Sequence, residues 1–273
     1  MTPDTIFAVH SMTKPITSLA AMMLIDEGRI ALTDPVSKYI PAYAAVKVGV
    51  ESKNPDGVVV LKRVPPNRPV NIEDLLRHTS DITYDYIGSD LIMKANRDGT
   101  KFVLQDDAER MRMAQPLPND AILLLSAMER REHPEWESGG GGLLSTITDY
   151  ARFAQMLLNG GTLDGRQYLS PKGFKQMTSD HIGPGSGVGR DYYYLPGDGF
   201  GYGYGLAVRT DPGNARPPPP GSIGELKWDS GSGTYFGVDA KLDMIYILME
   251  QTQEERMRVL PAFKKLVYQA FGK

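Results

Sequence analysis

Apolar residues after Pro15 (Ile16, Leu19, Ala20, Met23 and Leu24) recur on one face of a helix and stop at Gly28, a natural C-terminal end. The stretch from Ala31 to Pro41 predicts a turn and a short helix, with Asp34 as cap and Pro35 in its first position. Within 51–70, Asn54-Pro55-Asp56-Gly57 precedes an alternating run from Val58 to Val64 and then Pro65-Pro66, which predicts a hairpin or an extended connection. Asn71 to Ser80 predicts a short helix capped by Asn71, with Asp74 in its first turn, leading into a polar loop with Tyr84 and Tyr86. Residues 94–137 are highly charged and helical only in pieces. Gly139 to Gly142 interrupt them before a second amphipathic helix, Thr148 to Leu158, closed by Asn159-Gly160-Gly161.

The glycine- and tyrosine-dense stretch 183–205 lacks both the P-loop and the G-x-G-x-x-G spacing, so it predicts turns and bulges rather than a phosphate cradle. Pro217 to Pro220 form a short connector. Strand patterns follow at Glu225–Trp228, Thr234–Asp239 and Met244–Glu250, with Lys241-Leu242-Asp243 turning between the last two. From Glu254 to Phe271 the apolar period is again helical. An antiparallel meander packed by a C-terminal helix is an α+β arrangement, with helices flanking the sheet.

Composition narrows the functional classes. The chain has 273 residues, 41% hydrophobic and 23% charged, as an ordinary soluble globular protein with a substantial core does. Its 30 basic and 33 acidic residues leave a net charge of −3, so no nucleic-acid partner is expected. Zero cysteines exclude disulfides and thiolate metal sites, and His10, His78, His133 and His181 lack zinc-ligand spacing. No metal and no cofactor are expected. No apolar run approaches the ~20 residues that span a bilayer, so no membrane partner is expected. The first residues have neither the charged nor the apolar region of a signal peptide, which predicts a cytoplasmic location.

Candidate chemistry enters with Ser11 and Lys14, three residues apart at the mouth of the first helix. Positions i and i+3 share a helix face, so Ser11 Oγ and Lys14 Nζ can meet. A hydroxyl is a poor nucleophile until a base takes its proton, and a lysine partly stripped of water can be that base. The same four letters also fit a capping serine and a solvated lysine, since S-x-x-K recurs by chance.

The blocks F-x-x-x-S-M-T-K-P, L-L-R-H-T-S, E-S-G-G-G-G-L-x-S-T-x-x-D-Y-A-R-F-A-Q-M-L and W-D-S-G-S-G-T-Y-F-x-V-D occur in that order along most of the chain. Together they resemble the serine β-lactamase and penicillin-binding-protein superfamily, and within it the class C β-lactamase-related (family VIII) carboxylesterases. The resemblance implies one β-lactamase-like domain over 1–273, with a helical lobe of roughly 15–180 and a sheet lobe of roughly 181–273 joined by the N-terminal segment. It implies Ser11 as the acylated nucleophile and Lys14 as its base or proton relay. Trp228-Asp229-Ser230-Gly231 falls where lactamases have K-T-G and related esterases W-G-G, so the N–H groups of Ser11 and Gly231 are expected to form the oxyanion hole. Trp228 in place of a lysine removes the usual carboxylate anchor of a β-lactam and favours neutral esters. Trp228, Ser230 and Tyr84 are the expected substrate-binding residues.

Gly139 to Gly142 are expected to serve packing, and His78-Thr79-Ser80 to tie a loop to backbone. The chain also departs from the family pattern. Relatives place a helix and two strands before the S-x-x-K helix, whereas ten residues precede Ser11, so an exposed sheet edge and possible self-association are expected. No tyrosine lies between Ile92 and Met111, where the family's Y-x-N or Y-x-S should fall, and Tyr168-Leu169-Ser170 looks like a decoy at a helix start. Ser230 in place of glycine narrows the surface that the acyl group passes, and Asp229 brings negative charge near the oxyanion. The resulting expectation is a serine hydrolase acting on short-chain esters. Weak β-lactam hydrolysis, or a catalytically impaired binding protein on the same scaffold, are the alternatives.

Overall fold

The computed structural model describes residues 1–80, 82, 89, 91, 92, 94, 139–183 and 197–272. Its elements in chain order begin with β1 (Phe7–Ala8), α1 (Thr13–Asp26), β2 (Val48–Lys53), β3 (Val59–Val64) and α2 (Ile72–Leu76). They continue with β4 (Leu144–Ser145), α3 (Ile147–Leu158), β5 (Thr162–Leu163), β6 (Arg166–Gln167) and α4 (Pro171–Met177). The last are β7 (Phe200–Tyr202), β8 (Ala207–Arg209), β9 (Leu226–Asp229), β10 (Tyr235–Asp239), β11 (Met244–Leu248) and α5 (Arg256–Ala270). The chain divides into two compact units, one of Met1–Leu32 with Leu123–Lys273, the other of Thr33–Ile122.

The first unit is built on an antiparallel sheet in the order β11-β10-β9-β8-β7. The three late strands and the closing helix read from the sequence are present within two residues of their expected bounds, and the α+β class holds. Strand β7 lies where turns were expected, and β8 follows just beyond that stretch. They are three buried residues each, too short to show an alternating pattern. Among the described residues β11 has no neighbour beyond β10.

Residue alternation gives each face of the sheet its helix. Phe236 on β10 meets Tyr150 and Phe153 of α3, with ring centroids 5.1 and 6.0 Å away. Tyr235 and Tyr246 point the other way, against Tyr268 and Phe263 of α5. That second face also buries Glu225, which takes a hydrogen bond from Lys264 Nζ (2.8 Å) and others from Tyr246 and Tyr268. Paired in this way, a buried carboxylate is tolerated.

Helix α1 ends as its sequence requires. Gly28 adopts φ +70° with nothing within 4 Å of a notional Cβ, so it is there for its left-handed conformation and not for space. Gly205 needs both, since its φ is +78° and a Cβ would overlap Ser18 of α1. Asp26 accepts hydrogen bonds from Ser170 N–H (2.7 Å) and Ser170 Oγ (2.9 Å), fastening the end of α1 to the start of α4. Ser170 in turn caps α4 by accepting from Gly173 N–H at 3.0 Å, with Pro171 as the first helical residue. Tyr168-Leu169-Ser170 is thus a helix start, as expected.

In the second unit, β2 and β3 form the expected hairpin, and Asn54 Oδ1 accepts from Val58 N–H at 2.9 Å across its turn. The capped helix at Asp34 is not there. Val36–Lys38 is a 3-10 turn with Pro35 extended ahead of it, and no side chain caps it. Asp34 instead holds Lys38 Nζ at 2.9 Å and Tyr39 Oη at 2.5 Å. Two nearby donors outcompete the backbone for one carboxylate.

Helix α2 carries the capping box that Asn71 and Asp74 suggested, with Asp74 N–H donating to Asn71 Oδ1 at 2.9 Å and Asn71 N–H donating back to Asp74 at 3.0 Å. Arg68 adds a forked pair to the same carboxylate, at 2.6 and 2.8 Å, and Thr79 ties the following loop to it at 3.2 Å. Burial alone would raise the Asp74 pKa, but the hydrogen bonds from Arg68, the Asn71 backbone and Arg77 outweigh it and hold the carboxyl at about 2. Asp74→Ala is therefore expected to destabilise the protein by about 2 kcal/mol in denaturant unfolding. Because the folded pKa lies below the ordinary 3.8, the stabilisation is full above about pH 4 and is lost as pH falls towards 2.

Candidate active site

The segment ahead of Ser11 is clamped first. β1 pairs with β4, Phe7 against Ser145 and Ala8 against Leu144, and Val9 N–H continues the ladder to Leu143 O at 3.1 Å. This pairing lays residues 139–145 alongside the mouth of α1. His10 then turns the chain with φ +39°, a left-handed geometry that histidine enters more readily than most residues. Ser11 follows within a 3-10 turn, His10–Met12, that runs directly into α1 without a side-chain cap. A capping role for Ser11 is thereby removed.

Lys14 Nζ lies 3.0 Å from Ser11 Oγ and 2.6 Å from the carbonyl oxygen of Gly140. The lysine is 9% exposed, and burial lowers its pKa from 10.5 to about 8. Water that would stabilise the ammonium is excluded, and among the described residues no carboxylate replaces it. Two further bonds lace α1 to the same stretch. Thr17 Oγ1 donates to Gly139 O at 2.8 Å, and Leu143 N–H donates to Thr13 Oγ1 at 3.0 Å. A neutral Lys14 that donates to Gly140 O keeps its lone pair for the serine proton.

The Gly140 carbonyl is a site group that the sequence had assigned to packing. A second is Tyr150 of α3, 1% exposed, whose hydroxyl donates to Met12 O at 2.8 Å. Burial pushes this phenol well above its usual range, so it remains a donor and fixes the backbone one residue past Ser11. Among the described residues no tyrosine hydroxyl bonds Lys14. Tyr84 lies outside the described residues.

The turn after β9 is brought to the same place. Strand β9 packs against the 3-10 turn carrying Ser11. Ser232 Oγ and Thr234 Oγ1 reach the carbonyls of Ala8 and Val9, each at 3.4 Å. Among the described residues neither Ser11 N–H nor Gly231 N–H makes a hydrogen bond to protein. Trp228 is buried at 3% exposure beside Tyr202, with ring centroids 5.2 Å apart. Ser230 is 1% exposed, and its Oγ lies 2.7 Å from both Ser232 Oγ and Thr234 Oγ1, inside the turn. Asp229 has Arg256 Nη1 3.9 Å from its carboxylate. Burial raises the Asp229 pKa, and Arg256 and Lys227 partly offset the rise.

Among the described residues no group of three or more His, Asp or Glu side chains is placed to hold a metal ion, and no helix is long and apolar enough to cross a membrane. A serine hydroxyl beside a buried amine, with two unengaged N–H groups on neighbouring segments, is an arrangement that can support acyl transfer.

Comparison with known proteins shows the family. The Beta-lactamase family model matches residues 1–120 and 89–269. Protein Rv1367c of Mycobacterium tuberculosis is 29% identical, over 92% of this chain and 78% of its own length. Among solved structures, a variant of the simvastatin synthase LovD from Aspergillus terreus superposes with a TM-score of 0.71 at 16% identity, covering 100% of this chain and 86% of that one. EstCE1, a hydrolase with promiscuous acyltransferase activity, superposes with a TM-score of 0.63 at 18% identity, over 97% of this chain and 84% of its own. With its family model spanning almost the whole sequence and this fold beneath it, the chain belongs to the Beta-lactamase family.

Proposed function

We propose that the protein is a serine hydrolase that cleaves short-chain carboxylic esters through an acyl-enzyme on Ser11. One observation carries the reading: a buried lysine with its amine 3.0 Å from a serine hydroxyl and its pKa lowered to about 8. In the first half-reaction neutral Lys14 takes the Ser11 proton while Oγ attacks the ester carbonyl carbon. The carbonyl oxygen gains the electron pair and accepts from the N–H groups of Ser11 and Gly231. Collapse of this intermediate breaks the bond to the alcohol oxygen, which leaves with the proton from Lys14. Water then repeats the sequence on the acyl-enzyme, releasing the acid and restoring Ser11.

A buried tryptophan at position 228, where the family's lactamases carry a lysine, leaves no cation at that position for a substrate carboxylate, which supports neutral substrates. If an alcohol replaces water in the second step the same intermediate yields a new ester, and the likeness to LovD and EstCE1 supports that variant. β-Lactam hydrolysis remains the weaker activity of the three. A panel of p-nitrophenyl esters tests the substrate class. Turnover is expected to be highest for acetate to butyrate and to fall at least tenfold by dodecanoate. A preference for the longest chains, or turnover of a penicillin faster than of any ester, would overturn it.

A further inference from the structure

We infer that Arg256 is a positioning residue for the oxyanion-stabilising peptide and acts on the developing negative charge through the backbone, without touching substrate. This rests on the reading of Ser11 as nucleophile and the Gly231 N–H as donor. That N–H belongs to the same amide as the carbonyl of Ser230. The carbonyl oxygen accepts two hydrogen bonds, from Arg256 Nη1 at 3.1 Å and from Gly233 N–H at 3.1 Å.

Donors at an amide oxygen draw electron density away from the nitrogen, so the N–H of that amide becomes a stronger donor. Hydrogen bonds in a chain polarise one another, by an estimated ~10–30% per bond, and a charged donor contributes more than a neutral one. The same two bonds also fix the plane of the Ser230–Gly231 peptide and hence the direction of its N–H. Catalysis by an oxyanion hole depends on that direction being set before charge develops.

The geometry around the guanidinium suits this role. A Cβ placed on Gly231 would meet Arg256 Nη1 at 3.9 Å, so the cation lies beside the donor residue. Asp229 Oδ2 is also 3.9 Å from Nη1, too far for a hydrogen bond but near enough to attract the guanidinium to the turn. Arg256 is the first residue of α5, and a helix seated on the sheet face gives its side chain a fixed origin. The opposite side of the turn is held by Ser230 N–H donating to Thr234 O at 2.9 Å and by the buried Ser230 hydroxyl. The peptide is held through its carbonyl and through Ser230 before it, and Arg256 is the charged member of the set.

The test uses Arg256→Ala and Arg256→Gln in the full chain, with steady-state p-nitrophenyl acetate kinetics and the Gly231 amide signal in a ¹H–¹⁵N spectrum. Loss of a whole oxyanion donor costs ~10²–10³ in kcat, so weakening one is expected to lower kcat about tenfold in Arg256→Ala. KM should stay within about twofold, Arg256→Gln should lie between wild type and Arg256→Ala, and the Gly231 amide proton should move upfield. A raised KM with unchanged kcat would put the guanidinium on the substrate and overturn the inference. Unchanged kcat with an unmoved Gly231 signal would overturn it equally. The amide signal is read without turnover, so it reports on Arg256 even if Ser11 proves not to be the nucleophile.

Discussion

Ser11→Ala is expected to lower kcat/KM for p-nitrophenyl acetate by about 10⁵–10⁶-fold, as loss of the nucleophile does in other serine hydrolases. The reason is local. Ser11 Oγ is a hydroxyl within reach of the buried amine, and among the described residues no other side-chain hydroxyl bonds that amine. The folded structure should survive the change. Lys14 keeps its 2.6 Å bond to Gly140 O, and the β1–β4 pairing and the Tyr150 bond to Met12 O do not involve the serine hydroxyl. Thermal or denaturant unfolding is therefore expected to differ from wild type by no more than about 0.5 kcal/mol. A Ser11→Ala protein that retained full ester turnover would remove Ser11 from the mechanism.

The second large effect concerns Lys14. Its removal as Lys14→Ala is expected to cost about 10²–10⁴ in kcat/KM, the usual contribution of a positioned general base. The pH dependence separates a base from a mere cation. Burial lowers the amine to about 8, so below that pH it carries a proton and cannot accept another. For a neutral ester, wild-type kcat/KM should rise about tenfold per unit below the pKa and level off above it. Lys14→Arg keeps a positive charge but never becomes neutral in this range, so it should be as inactive as Lys14→Ala at every pH. Wild-type activity that falls through pH 8, or an active Lys14→Arg variant, would show that a charged group serves there instead.

Much of this architecture was legible because local rules and tertiary packing point the same way. The stop of α1 at Gly28, the Asn71 cap and the Ser170-Pro171 helix start all depend on neighbours within a few residues, and each is found where expected. So were the three late strands, whose alternation is long enough to show. The face that α1 buries, in contrast, is Lys14, Pro15, Ser18 and Met22 and not the expected Ile16, Leu19, Ala20, Met23 and Leu24. Strands β7 and β8 were not legible, since three-residue strands amid glycines are defined by their partners and not by their own pattern. Asp34 misled for a related reason. A carboxylate beside a proline suggests a cap, but Lys38 and Tyr39 reach it first.

At the site, Ser11 and Lys14 share a helix face and could be paired from spacing alone. Gly140 could not, because its contribution is a carbonyl brought 126 positions along the chain by the β1–β4 pairing. The glycine run gave the one available signal, since it permits backbone to approach a side chain closely. Tyr150 reads as a core residue of an amphipathic helix, and its hydroxyl acquires a role through the one carbonyl that it meets. Ser230 shows the same limit. From sequence it faced the acyl path, whereas in the fold its hydroxyl is 1% exposed and shared among Ser232 and Thr234.

The most direct measurement is the intact mass of the protein after reaction with a fluorophosphonate, followed by peptide mapping. The account predicts one added label per chain, carried by the peptide containing Ser11 and absent from Ser11→Ala. A correctly folded wild-type protein that takes up no label, or takes it up on another residue, would contradict the assignment of Ser11 as the nucleophile.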